Sequence, residues 1–187
     1  MMSECPTLET ERLRLRPFVD DDVEAYFMLY DTPEVRRSLH VPDSFSRDDA
    51  WTHLALWRGQ WALRGTGQWA LERRDTGAFI GRAGSHLPER VGWPGLEIGW
   101  TLHPDHWGHG YAIEAGRAAV DWCFANHDVD ELVSVILPEN TASQAVARRL
   151  GFVLSEERTL PHFPRQPHGI WRLARPETDD DPSAFGQ

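Results

Sequence analysis

Residues 96–123, LEIGWTLHPDHWGHGYAIEAGRAAVDWC, constrain this chain most, because the hydrophobic period changes inside them. Leu96, Ile98, Trp100 and Leu102 alternate with Glu97, Gly99, Thr101 and His103, the period of a half-buried strand. Pro104 then ends it, having no N–H to give a ladder. From Tyr111 the pattern is helical, with Ala112, Ala115, Ala119, Trp122 and Cys123 at three- and four-residue steps. Strand, glycine turn and helix in that order build an anion site. The first N–H groups of a helix lack intrahelical partners and carry the positive end of its dipole. Gly108 and Gly110 let the backbone approach a phosphate with no Cβ in the way. The alternative is a tight connection that binds nothing. The dinucleotide fingerprint fails, because Ile113 stands where it needs a third glycine. The ATP-binding P-loop fails too, since no Gly-Lys-Ser/Thr follows.

The rest of the chain reads as alternating short elements. Arg12-Leu13-Arg14-Leu15-Arg16 predicts a strand that stops at Pro17. Asp20, Asp21 and Asp22 precede a helix over 23–29, one of them as its cap. Thr32-Pro33-Glu34-Val35 restarts a short helix. Ser46-Arg47-Asp48-Asp49 resembles a capping box for a long helix to about Leu63, with Ala50, Trp51, Leu54, Trp57, Trp61 and Ala62 as its apolar stripe. Residues 68–73 and 78–84 predict strands joined by the turn Asp75-Thr76-Gly77. A loop over 88–95 leads into the central strand. Residues 131–138 form the most buried-looking strand, and 140–150 a helix ending at Gly151. Residues 152–154 and 169–174 are the last strands, and the three prolines of 161–168 predict a surface loop between them. Residues 1–176 are expected to form one domain, and 177–187 an acidic, disordered tail.

Composition narrows the function. The 187 residues carry a formal net charge of −10, which argues against nucleic acid or an anionic membrane as partner. It suits a cationic substrate such as an amine, and serves solubility equally well. Cys5 and Cys123 give no disulfide framework, which fits a reducing, cytoplasmic setting. The N-terminus shows no apolar signal core, and no apolar run approaches the ~20 residues of a membrane span.

Two runs carry a family resemblance. Trp107-Gly108-His109-Gly110-Tyr111-Ala112, followed by Glu114-Ala115, resembles the coenzyme A pyrophosphate loop of the GNAT acyltransferases. Glu97-Ile98-Gly99-Trp100-Thr101-Leu102 resembles the strand before that loop in the branch with the ribosomal-protein N-terminal acetyltransferases. Asn140 and Ser143, with Leu150-Gly151-Phe152 after them, resemble the family's second site helix. Residues 7–17 resemble the branch's opening strand. By themselves Asn140 is a helix cap and Ser143 a first-turn residue.

The resemblance implies an α+β fold: a mixed, mostly antiparallel central sheet of about seven strands with helices on both faces. It implies acetyl-CoA as cosubstrate, no metal, and a primary amine acceptor on a small molecule or a peptide, in a monomer or homodimer. The cofactor set it implies is Trp100, Leu102, Trp107, Gly108, His109, Gly110, Tyr111, Ala112, Asn140, Ser143 and Arg149. In the family the asparagine bonds the pantetheine arm and the serine lies near the sulfur, so Ser143 is a candidate donor to the leaving thiolate. Arg149 is a candidate for the 3′-phosphate, or a solvated helix-end charge. Glu97 is the candidate base, with a structural carboxylate as the alternative. Asp105 departs from the Gln or Arg usual at its position, which leaves the loop to rely on backbone amides. His103, His106 and His109 recur at three-residue steps without a completing ligand pattern for zinc. The competing functions are a non-catalytic acyl-CoA-binding module and a nucleotide-binding α/β protein.

Overall fold

The computed structural model describes residues 4–177. The chain begins with strands β1 (Leu8–Glu9) and β2 (Leu13–Arg16), then helices α1 (Asp22–Asp31), α2 (Pro33–Leu39) and α3 (Arg47–Arg64). Strands β3 (Gln68–Arg73), β4 (Phe79–His86) and β5 (Glu97–Leu102) follow. A short 3₁₀ turn (Pro104–His106) leads into α4 (Tyr111–Asn126). The chain closes with β6 (Glu131–Ile136), α5 (Thr141–Leu150), β7 (Val153–Leu160) and β8 (Phe163–Ala174). These strands form one eight-stranded sheet, ordered β1-β2-β3-β4-β5-β6-β8-β7. Every neighbouring pair is antiparallel except β5 with β6.

Helices cover both faces. Trp69 and Leu71 point to one side and pack with Leu13, Leu15 and Ile98 beneath Ala115, Ala119 and Cys123 of α4. Ala70, between them, points to the other side, where Val23, Tyr26 and Leu29 of α1 meet Leu54 and Trp57 of α3. Trp61 and Trp69 of the first core sit 4.6 Å apart, and the Trp69 indole N–H donates to the Pro6 carbonyl at 2.7 Å, so its polar edge is satisfied. The capping box forms: Ser46 accepts from the Asp49 amide, and Asp49 accepts from the Ser46 amide at 2.8 Å.

The sheet has eight strands, in keeping with the expected seven or so, the additional one being Leu8–Glu9 beside β2. Three other expectations change. Residues 161–168 are not a surface loop: β7 runs to Leu160 and β8 starts at Phe163, in one long hairpin. Pro164 and Pro167 are tolerated because that part of β8 lies beyond β6, which pairs only from Gly169 onward. Asp21 makes no side-chain cap on α1. Asp22 is instead buried, accepting from the Val19 amide and from both terminal nitrogens of Arg16 at 2.8 Å. Trp51 is also not core; it stands half exposed on α3. The expected tail lies outside the described residues apart from Glu177.

The parallel pair creates the feature that positions the site. The ladder between β5 and β6 is limited to Glu97 opposite Val133. From Ile98 onward the edge of β5 away from β4 has no strand beside it, and its polar backbone groups face a gap.

Candidate active site

The gap opens into a cleft floored by Trp100, Thr101 and Leu102 of β5. Asn140, Ser143 and Val146 of α5 form one wall, with Arg149 at the far end. The loop before α4 forms the other, through Trp107, Gly108, Gly110, Tyr111 and Ala112. The structure thus gathers ten of the eleven sequence-derived cofactor residues, among them Ser143, the candidate thiolate donor. Those it does not gather are Glu97, the candidate base, and the side chain of His109. Val35, Ser38 and Leu39 of α2 close the remaining side. A second depression, between α1 and α3 around Phe18, Val23, Trp51 and Leu54, is mostly apolar and lies away from this chemistry.

The loop presents bare amides. Gly108 and Gly110 hold φ of +78° and +81°, which an L side chain rarely adopts. The Trp107 amide is spent on the Pro104 carbonyl at 2.9 Å, so Trp107 contributes its ring. Its indole N–H reaches back to the Leu102 carbonyl at 2.8 Å, tying the loop to the strand end. Ile113 and Glu114 both donate to the Gly110 carbonyl. Among the described residues, the five amides of 108–112 donate to nothing in the chain. They form a run of open donors at the positive end of a 16-residue helix. Asp105 does not spoil it: its carboxylate is exposed and lies 3.5 Å from His103 Nδ1, outside the cleft.

A clamp absent from the sequence reading holds this loop. Glu114 accepts from Thr10 Oγ1 at 2.6 Å and from the Arg12 amide at 2.8 Å; its other oxygen pairs with the Arg12 guanidinium at 2.7 Å. Arg12 Nη1 also donates to the His109 carbonyl at 2.9 Å, and its guanidinium lies over the Tyr111 ring. Burial opposes ionisation of Glu114, but the bonds from Thr10 and Arg12 outweigh it and hold its pKa below the usual carboxylate range.

On α5, Asn140 Oδ1 accepts from the Ser143 amide at 3.0 Å, as a cap, and Nδ2 reaches the Ser38 carbonyl at 3.3 Å. Asn140 therefore joins α5 to α2 across the cleft. Thr101 Oγ1 is buried with no partner in the chain among the described residues. Glu97 lies where β5 meets β6, on the sheet face opposite α4, with His86 Nδ1 at 3.5 Å. His86 is its register partner on β4, a pairing no local pattern announces. His106 also lines the cleft; burial, seconded by Arg73, lowers its pKa. Among the described residues no group of three metal-ligating side chains occurs, and no helix is long and apolar enough to cross a membrane.

Comparison with known proteins bears on the family and the fold. The profile of the acetyltransferase (GNAT) domain matches residues 12–153. A Bacillus subtilis (strain 168) protein described as the uncharacterized N-acetyltransferase YoaA is 32% identical over 151 residues, 79% of this chain and 82% of that one. The crystal structure of an acetyltransferase from Agrobacterium tumefaciens str. C58 superimposes with a TM-score of 0.80 at 32% identity, covering 94% of this chain and 98% of that one. A ribosomal L7/L12 alpha-N-protein acetyltransferase, solved in complex with coenzyme A, shares the fold at 19% identity and a TM-score of 0.74, over 90% of this chain and 98% of that one. The chain belongs to the GNAT acetyltransferase family and is an acyl-CoA-dependent acyltransferase. The residues present fit coenzyme A: the open amides suit a diphosphate, and the exposed Arg149 suits a phosphate at the nucleotide end.

Proposed function

We propose that this chain transfers an acetyl group from acetyl-CoA to a primary amine by direct attack in a ternary complex. The observation that carries this reading is the run of five unpartnered amides opening on a cleft that continues into the gap between β5 and β6. The amides of 108–112 hold the diphosphate, and Arg149 the nucleotide's phosphate. Asn140, whose cap leaves acceptor and donor capacity, borders the pantetheine arm. Open backbone donors of β5 between Trp100 and Leu102 polarise the acyl carbonyl.

The amine must first lose a proton, since a free amine of pKa ~10.4 is charged at neutral pH. Glu97, directly or through a water, takes it. The amine nitrogen then bonds the carbonyl carbon, the carbon–sulfur bond breaks toward Ser143, and the nitrogen's second proton passes to the departing sulfur, directly or through water, so that coenzyme A leaves as its thiol. A serine hydroxyl is a weak acid, so it stabilises the thiolate by hydrogen bonding. Holding both reactants in one cleft supplies much of the rate.

Isothermal titration with acetyl-CoA, then thiol release with a panel of amines, tests the proposal. Saturable binding and amine-dependent thiol release are expected. Absence of binding would overturn the cofactor assignment. Binding without release for any amine would instead indicate a non-catalytic acyl-CoA-binding module.

A further inference from the structure

The sheet face opposite α4 carries a second cluster, next to Glu97, that acyl binding does not use. Arg82 projects from β4 beside Thr101 of β5. Its Nε donates to the Tyr30 hydroxyl at 2.6 Å and Nη1 to Gln68 Oε1 at 2.8 Å. Both partners are neutral, and among the described residues Arg82 forms no salt bridge. Its guanidinium lies over the rings of Tyr30 and Trp57. Arg90, in the loop before β5, likewise forms no salt bridge among the described residues. It lies over Trp93 at 5.1 Å and Phe163 at 5.8 Å. Glu97 is the carboxylate charge that acts on both arginines, without salt-bridge contact to either, and cations held partly out of water with no ion-pair contact are costly to keep.

Orphaned polar atoms surround the same place. Trp93 Nε1, Thr101 Oγ1 and His168 Nδ1 are buried without a partner in the chain among the described residues. Ring contacts link them: Trp57 to His86 at 5.1 Å, His86 to Trp93 at 6.0 Å, and Phe163 to His168 at 4.9 Å. His86 is the neighbour of Glu97. The cluster thus sets two unpaired cations and two unused donors around one carboxylate. Thr101 joins it to the acyl cleft. Burial, with the Arg82 charge second, pushes His53 down to about 4, and burial lowers His168, so neither adds a cation at neutral pH. In a chain of net charge −10, this cluster sets two arginines against the single carboxylate of Glu97.

We propose that the acceptor is an amino-carboxylate, a small molecule with its amine directed to Glu97 and its carboxylate to Arg82 and Arg90. This rests on the acetyl-transfer reading above. A polyamine, or an amine on a neutral scaffold, would leave both guanidiniums unpaired. A site built to bond a group rejects analogues lacking it, because its own buried groups are then left unsatisfied.

The test compares α-amino acids with their carboxamides and decarboxylated amines in the thiol-release assay. The acid form is expected to exceed the amide at least tenfold in kcat/KM. Arg82→Gln and Arg90→Gln are each expected to cut that preference at least tenfold while coenzyme A affinity, read by isothermal titration, stays at the wild-type value. Arg90 lies in a loop, so its variant keeps the test sound if Arg82→Gln fails to fold. A second arm needs no turnover: the chain, alone and with coenzyme A, is titrated with N-acetyl amino acids and with their carboxamides. Tighter binding of the acids is expected. Equal rates or equal binding for acid and amide, a preference for polyamines, or discrimination unchanged in the variants would each overturn the proposal. Failure of the wild type to bind coenzyme A would sink the acetyl-transfer reading instead, and the titration of the chain alone would still decide the carboxylate.

Discussion

At Gly110 three demands meet on one residue. The backbone turns at φ +81°, the amide stays open, and an added Cβ would lie 3.5 Å from Arg12 Nη2 of the clamp. Gly110→Val imposes strain at that φ and shields the neighbouring amides. The variant is expected to lose at least tenfold in coenzyme A affinity by isothermal titration. Unaltered affinity would place the anion site elsewhere. Glu97 poses the opposite problem: the proposed base has only His86 within ion-pair distance among the described residues, with Arg82, Arg90 and His168 acting on it through charge alone. Glu97→Gln keeps the shape and removes the base, so kcat is expected to fall about a hundredfold. The loss should be largest near pH 6, where the amine holds its proton most firmly. A wild-type pH–rate profile in the variant would remove Glu97 from proton transfer.

Elements set where these residues stand, and β4 against β5 is the tightest contact. A Cβ at Gly81 would meet Thr101 O at 2.2 Å and Leu102 Cα at 2.8 Å, both backbone atoms of the cleft floor. Gly81→Ala must push the strands apart and is expected to destabilise by about 3 kcal/mol or more, read as a lower urea midpoint. Gly59, inside α3, has nothing within 4 Å of its built Cβ. Gly59→Ala should therefore stabilise by roughly 0.5–1 kcal/mol through helix propensity. The same chemistry with opposite sign tests whether backbone proximity, and not glycine as such, governs the response. This contrast also marks what the sequence could show. The strand, glycine turn and helix of residues 96–123 were legible because period and turn chemistry are local, as was the Ser46–Asp49 cap. The β7–β8 hairpin was not: Pro161, Pro164 and Pro167 read as a loop until β6 is known to stop short of them. The clamp from Glu114 to Arg12, 102 residues away, and the Arg82–Tyr30–Gln68 contacts exist only through sheet order, which no local pattern encodes.

For the whole molecule, net charge and local charge point in different directions. The −10 net charge suggests attraction of cations, yet Arg82 and Arg90 stand near Glu97, so for the proposed amino-carboxylate acceptor steering would act on the amine and selection on the carboxylate. The buried side of this arrangement also makes stability depend on pH. His53 packs against Tyr26, Tyr30 and Phe45, with Arg82 near it and only Asp49 favouring its protonation. Burial first, then Arg82, lowers its pKa from 6.5 to about 4. Between those values the unfolded chain binds a proton that the folded chain refuses, so stability falls as pH drops from 6.5 toward 4 and gains nothing from this group above 6.5. His106, His162 and His168 are lowered too and act in the same direction. Depressed carboxylates such as Glu114 contribute in a separate window, since their stabilisation is intact above the unfolded value near 4.5 and disappears only below it. Melting temperatures taken at pH 7, 6 and 5 are therefore expected to decline for the wild type, and more gently for His53→Gln. Parallel declines in the two proteins would show that His53 is not the group linking the charge of Arg82 to the stability of the fold.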